Sequence, residues 1–245
     1  AFDVYLVPGF LGFVNLGRIT YFGHLRRALA ERFAALGLDA RIHIVRTPPT
    51  ASLPTRAARL AETIARTAKR GDAPLHLIGH SSGGLDVRLL TAPGVALPTS
   101  VDVERFAARV RTVVTMATPH HGTPLASFFT TLRGQAPMLQ LTPEIRALRR
   151  AFHATPSEEA NDGIVPTLSQ IWGHVIHAAV ADHLDALGHF RDASHDPPHV
   201  DWLVSGSGFD RPGFEALVDD VVRFVAGPTP RKAAGRSSGR AARRR

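Results

Sequence analysis

The chain contains no cysteine, which excludes a disulfide framework and any thiolate metal site and leaves the compartment unreadable from redox chemistry. No continuous apolar run approaches membrane-spanning length. No basic and apolar leader stands before residues 1–7, which already read as a strand, so the sequence expectation is a cytoplasmic protein. Internal repeats are absent, and low complexity is confined to the segment after Gly227.

The formal charge of +8 suggests nucleic-acid binding until it is located. Arg231, Lys232, Arg236, Arg240, Arg243, Arg244 and Arg245 all lie in the last fifteen residues, leaving 22 of the 29 basic residues against 21 acidic ones. The body of the chain is therefore nearly neutral, with no field that calls for a polyanion or a specific nucleic acid. Residues 228–245 are expected to be a disordered basic tail able to make weak contact with anionic surfaces.

With 245 residues and 44% hydrophobic content, the chain can bury one sizeable core. We expect one domain over residues 1–227. Strand-like runs at 4–7, 40–45, 74–78 and 110–116 alternate with helix-period stretches at 25–36, 53–69 and 84–90. This order predicts an α/β fold with a mostly parallel central sheet and helices on both faces. Residues 134–160, with Pro137, Pro143 and Pro156 around a short helix at 144–152, read as a small cap. Residues 172–180 read as the last strand and 214–225 as a closing helix.

Gly79-His80-Ser81-Ser82-Gly83 follows the strand at 74–78 and opens a helix. That is the setting of a nucleophile elbow, in which small residues let strand and helix pass closely and lift a serine hydroxyl clear of the sheet. Gly235-Arg236-Ser237-Ser238-Gly239 fits the same pattern but lies in the basic tail, without strand or apolar helix, and is rejected.

A serine hydroxyl needs a base oriented by a carboxylate, in the chain order Ser, Asp, His for this fold. Among thirteen histidines, His183 comes just past the last expected strand, where catalytic groups of open α/β sheets gather. It is the expected base, with His189 next. Asp162, in the turn Asn161-Asp162-Gly163, is the expected carboxylate; a turn aspartate bonding its own backbone is the alternative. Asp182 and Asp185 adjoin the histidine as substitutes. The loop Val7-Pro8-Gly9-Phe10-Leu11-Gly12 follows the first strand, and the amides of Phe10 and Ser82 would form the oxyanion hole.

These residues resemble the bacterial true lipases and related esterases of the α/β-hydrolase superfamily. The resemblance is carried by Pro-Gly-Phe-Leu-Gly, Gly-His-Ser-Ser-Gly-Gly-Leu-Asp, Ala-Thr-Pro-His-His-Gly-Thr-Pro, Asn-Asp-Gly-Ile-Val-Pro and Asp-His-Leu-Asp, spread in this order over residues 7–185. It implies Ser81, Asp162 and His183 as a triad and Phe10 as an oxyanion donor. Pro8-Gly9 stands where the family has His-Gly, and the stretch from Thr123 to Asn161 is short for it. Many relatives hold calcium near the histidine loop. Asp185 resembles one ligand, but no second carboxylate is evident, so no required metal or other cofactor is expected.

The expected activity is hydrolysis of a small-molecule or lipid carboxylic ester through an acyl-serine. The same triad serves acyl transfer or cleavage of a polyester or thioester. From a different class, a vestigial hydrolase could act as a binding module through its basic tail.

Overall fold

The structure, a computed structural model, describes residues 1–9, 15–16, 19–48, 50–68, 71–123, 143–157 and 159–227. Phe10, residues 134–142 and 158 of the expected cap, and the whole basic tail lie outside them.

The described strands are β1 (Phe2–Val7), β2 (Asn15–Leu16), β3 (Ile19–Thr20), β4 (Ala40–Ile44), β5 (Leu75–His80) and β6 (Val110–Met116). Four of them form a wholly parallel sheet in the order β4-β1-β5-β6, while β2 and β3 make a small antiparallel pair. β1 and β5 are central strands and apolar in near-continuous runs, as strands covered on both faces must be.

Successive side chains of β1 supply two cores. Val4 and Leu6 join Leu25, Leu29 and Phe33 of α1 (Gly23–Ala35) on one face, with Val218, Val221, Val222 and Val225 from the closing helix. Tyr5 and Val7 join Leu60, Ala61 and Ile64 of α2 (Leu53–Thr67) and Val87 and Leu90 of α3 (Ser82–Thr91) on the other. A short helix, α4 (Val103–Ala107), adds Phe106 to this second core.

Helix starts follow their capping residues. The Ser52 hydroxyl accepts from the Thr55 amide ahead of α2, and the Asp210 carboxylate accepts from the Gly213 amide at the head of the closing helix. Each such cap is worth about 1 kcal/mol. The described part of the expected cap contains α5 (Pro143–Phe152), with Ile145 and Leu148 buried. The closing helix is α6 (Arg211–Ala226).

The expected last strand is corrected by the structure. Residues 172–180 form no strand. Gly173 adopts φ 63°, outside the extended region, and side chains fix the segment in place of a ladder. His177 Nδ1 meets the Asp220 carboxylate at 2.9 Å, and Trp172 stacks on His120. A cavity of about 590 Å³ lies between this segment and β6, lined by Val113, Met116, Leu148, Ile176, Leu217 and Val221 among others.

Candidate active site

The turn between β5 and α3 is built from small residues because nothing larger fits. A Cβ on Gly79 would stand 2.5 Å from the Gly83 carbonyl oxygen, and one on Gly83 would strike the carbonyl of Val7. Ser81, between them, takes φ 56° and ψ −135°, a strained conformation for a residue with a Cβ. Its amide donates to the Met116 carbonyl at 2.9 Å and its carbonyl accepts from the Gly84 amide at 3.0 Å. Both anchors hold the backbone and leave the hydroxyl out of them. Ser82 begins α3, so its amide belongs to the unpaired donors of a helix N-terminus.

The loop after β1 closes over the serine. A Cβ on Gly9 would collide with Ser81 Cβ and lie 2.9 Å from Ser81 Oγ. Arg56 of α2 is buried in full with Asp86 of α3, and its guanidinium donates to both Asp86 oxygens at 2.8–3.1 Å. It also donates to the carbonyls of Pro8 at 2.7 Å and Pro48 at 3.2 Å. One ion pair thus fixes the loop before Gly9 to the helix after Ser81. Asp86 ends the motif containing the serine, but nothing in the sequence points from it to Arg56, thirty residues earlier.

Asp162 faces its own turn with one carboxylate oxygen and His183 with the other. Its Oδ1 accepts from the amides of Ile164 at 3.0 Å and Val165 at 2.7 Å, closing the turn around Gly163. Its Oδ2 lies 3.0 Å from His183 Nδ1 and also accepts from Gln170 Nε2 at 3.0 Å. The His183 amide donates to the Asp162 carbonyl at 2.8 Å, so ring and backbone are both oriented by one residue. His183 and Asp162 are 2% and 8% exposed. An aspartate facing Nδ1 fixes the proton there and leaves Nε2 as the basic nitrogen.

A second chain of hydrogen bonds links this pair to the serine turn. His80 is fully buried, and its Nε2 lies 2.7 Å from the His183 carbonyl, which can only accept. His80 Nε2 therefore carries the proton, and Nδ1 accepts from the Tyr21 hydroxyl at 2.6 Å. That hydroxyl in turn accepts from the Gly9 amide at 3.2 Å. Burial, with the His183 ring beside it, holds the His80 pKa well below its ordinary value, and burial pushes the Tyr21 phenol up. His80 thus stays neutral and Tyr21 stays a donor. Sequence reasoning sets His80 aside because it precedes the serine, and so misses this network.

The other expected residues have different work. Asp182 Oδ1 accepts from the amides of Leu184 and Asp185, just ahead of the turn Asp185–Leu187. His189 Nε2 lies 3.1 Å from the Tyr21 carbonyl and anchors the core. Neither faces the His183 ring as orienter or replaces it. Phe10 lies outside the described residues. The large cavity touches Asp162 and Asp182, but neither Ser81 nor His183 lines it.

The second carboxylate not evident in the sequence is present in the fold. Asp182, Asp185 and Asp201 bring oxygens within 4.8 Å of one another. Asp182 Oδ2 is buried with no hydrogen-bond partner among the described residues. Burial, with the charges of Asp182 and Asp201, pushes Asp185 up to about 6. An all-oxygen set of this kind fits a calcium ion.

No protein-family model matches the sequence, and no curated protein matches it. Among solved structures, the metagenomic carboxyl esterase MGS0156 superposes with a TM-score of 0.58 at 20% identity, over 92% of this chain and 75% of that one. The mature form of the Bacillus licheniformis lipase BlEst2 gives 0.46 at 18% identity, over 76% and 86% of the two chains. Phospholipase PlaB from Legionella pneumophila gives 0.38 at 16%, over 77% and 35%. With its parallel sheet, strained serine turn and the superposition on MGS0156, the chain has the α/β-hydrolase fold.

Proposed function

We propose that the chain hydrolyses carboxylic esters, with Ser81 as nucleophile, His183 as general base and Asp162 as the residue orienting it. One observation carries this reading: a strained serine at the strand-to-helix turn and a buried aspartate–histidine pair are tied together through His80. The α/β-hydrolase fold supports it, as does the carboxyl esterase that shares the fold.

In the proposed reaction His183 Nε2 takes the Ser81 proton as Oγ attacks the ester carbonyl. The negative charge that develops on the carbonyl oxygen is met by the Ser82 amide and, from the loop after β1, by the Phe10 amide. The tetrahedral adduct collapses, His183 returns the proton to the departing alkoxide, and an acyl-serine remains. Water then repeats the sequence, releasing the acid and regenerating Ser81. Asp162 keeps the Nδ1 proton in place and stabilises the imidazolium. Asp182, Asp185 and Asp201 would hold a calcium ion, which would add a fixed positive charge bracing the loop that carries His183.

The test is Ser81→Ala. It should abolish hydrolysis of p-nitrophenyl esters and labelling by a fluorophosphonate, whereas Ser237→Ala should behave as the parent. Full labelling of the Ser81 variant would overturn the assignment. A panel of esters of increasing chain length, with competing alcohols, separates esterase, lipase and acyl-transfer behaviour.

A further inference from the structure

Between α1 and α6, three histidines meet that the proposed reaction does not use. His24 is the second residue of α1, and His195 and His199 lie in the loop between the base and α6. One ring nitrogen from each lies within 4.8 Å of the others. Their rings border a small cavity of about 60 Å³.

Two of the three rings have their protons fixed by acceptors. His199 Nδ1 lies 2.6 Å from the Gly188 carbonyl, and His195 Nδ1 lies 3.0 Å from the Pro197 carbonyl. A carbonyl can only accept, so each Nδ1 carries the hydrogen and each neutral ring presents a lone pair at Nε2. A backbone carbonyl holding the distal N–H is the arrangement found behind metal-ligating histidines. His24 makes no hydrogen bond among the described residues, and its ring stacks on that of His199 with centroids 3.7 Å apart. The cluster thus gathers three imidazoles, two of which have Nδ1 turned to a backbone carbonyl and Nε2 left as the lone-pair nitrogen.

The frame is rigid. His199 is buried between the Phe190 and His24 rings, with centroids at 4.3 Å and 3.7 Å. Its backbone pairs with that of Asp192, which closes the loop bearing His195. Gly188, whose carbonyl holds His199, packs so tightly on His24 that a Cβ would lie 2.5 Å from His24 Cβ. The cations around the cavity are engaged: Arg211 with Asp192, Arg32 with Glu215 and Asp219, and Arg27 with the Asp196 carbonyl. Glu31 and Glu215 also line it.

We propose that His24, His195 and His199 bind a zinc ion that staples α1 to the loop following the base. Zinc bonds of about 2.0–2.1 Å in a tetrahedron set ligand nitrogens about 3.3 Å apart. Closing from within 4.8 Å to that spacing requires the half-buried His24 ring to turn out of its stack on His199 and the His195 ring to shift, while His199 stays held by the Gly188 carbonyl. An all-imidazole set selects zinc over calcium or magnesium, and leaves the fourth position to water. The site shares no residue with the Asp182, Asp185 and Asp201 group.

The experiment uses untagged full-length chain, stripped with chelator, loaded with zinc and passed through a desalting column. One zinc per chain should remain, cobalt in its place should give the visible absorption of a tetrahedral site, and loading should raise Tm. His195→Ala, half-buried in a loop, should fold and lose the retained zinc, the cobalt spectrum and the Tm rise, with affinity down by more than about 100-fold. His24→Ala should do the same. Asp201→Asn and Ser81→Ala should bind zinc as the parent does, so the outcome is independent of the esterase assignment. Failure of the parent to retain zinc, or unchanged retention by His195→Ala, would overturn the proposal and leave the cluster as stacked neutral rings.

Discussion

His80 donates its Nε2 proton to the main-chain carbonyl of His183 at 2.7 Å, so the residue before the elbow serine holds the backbone of the proposed base. Tyr21 completes the link by donating to the same imidazole while receiving the Gly9 amide. The serine turn, His183 and the loop after β1 are therefore registered by two uncharged side chains. His80→Leu removes both bonds and leaves the His183 carbonyl and the O–H donor of Tyr21 buried without their partner, while the Tyr21 oxygen keeps the Gly9 amide, at about 1–3 kcal/mol for each orphaned group. A displacement of the base by an ångström costs on the order of 10²-fold in rate. The expected result on ester hydrolysis is a fall in kcat of that size with KM little changed. Tyr21→Phe should give a smaller fall in the same direction, and equal losses in kcat and KM would contradict a positioning role.

Asp162→Asn tests the tautomer. Asparagine keeps the shape but can present an N–H to His183 Nδ1, which moves the imidazole proton to the nitrogen that must be basic. A loss on the order of 10⁴-fold in kcat is expected, the size of the effect that the equivalent change has in a serine protease. The turn bonds from Ile164 and Val165 to Oδ1 should survive, so the thermal melt should change little compared with the rate.

Asp86→Ala breaks the Arg56 ion pair and strands a guanidinium that is 2% exposed. Removal of one partner from a buried pair costs about 3–5 kcal/mol. A urea melt should show that loss. The double variant Arg56→Met with Asp86→Leu should recover much of it while freeing the Pro8 carbonyl, so stability should return further than activity.

Acid stability follows from buried neutral imidazoles. Burial lowers His76 and His120 to about 4 and holds His80 well below its ordinary value. In the unfolded chain these rings protonate near about pH 6.5, so the unfolded state binds more protons below that point. Their contribution is complete above about pH 6.5 and drains away as pH falls toward about 4. Asp185, pushed up to about 6, shifts the opposite way and offsets a part. Denaturant midpoints should fall steadily between about pH 6.5 and about 4, and His76→Gln should flatten that slope.

How much of this is legible in the sequence depends on whether the signal is local. The elbow shows because steric demand at Gly79 and Gly83 leaves a written trace, and β6 because its apolar run coincides with its ladder at residues 110–116. Asp162 shows because Asn-Asp-Gly forms its turn whatever else the carboxylate does. Residues 172–180 mislead because an apolar run looks the same whether it joins a ladder or is pinned by Trp172 and His177 beside a cavity. Arg56 with Asp86, His80 with Tyr21, and Asp201 with Asp182 are partners distant in sequence, and each member alone reads as an ordinary polar residue.

The strained backbone of Ser81 sets fold and chemistry against each other at a single residue. A φ of 56° on a side-chain-bearing residue costs about 1–3 kcal/mol, and glycine would carry most of that conformation freely. Selection for heat resistance alone would therefore erode the elbow first. A Ser81→Gly protein should be catalytically dead and yet melt above its parent, a measure of how much robustness the chain forgoes to hold one hydroxyl at the tip of the turn.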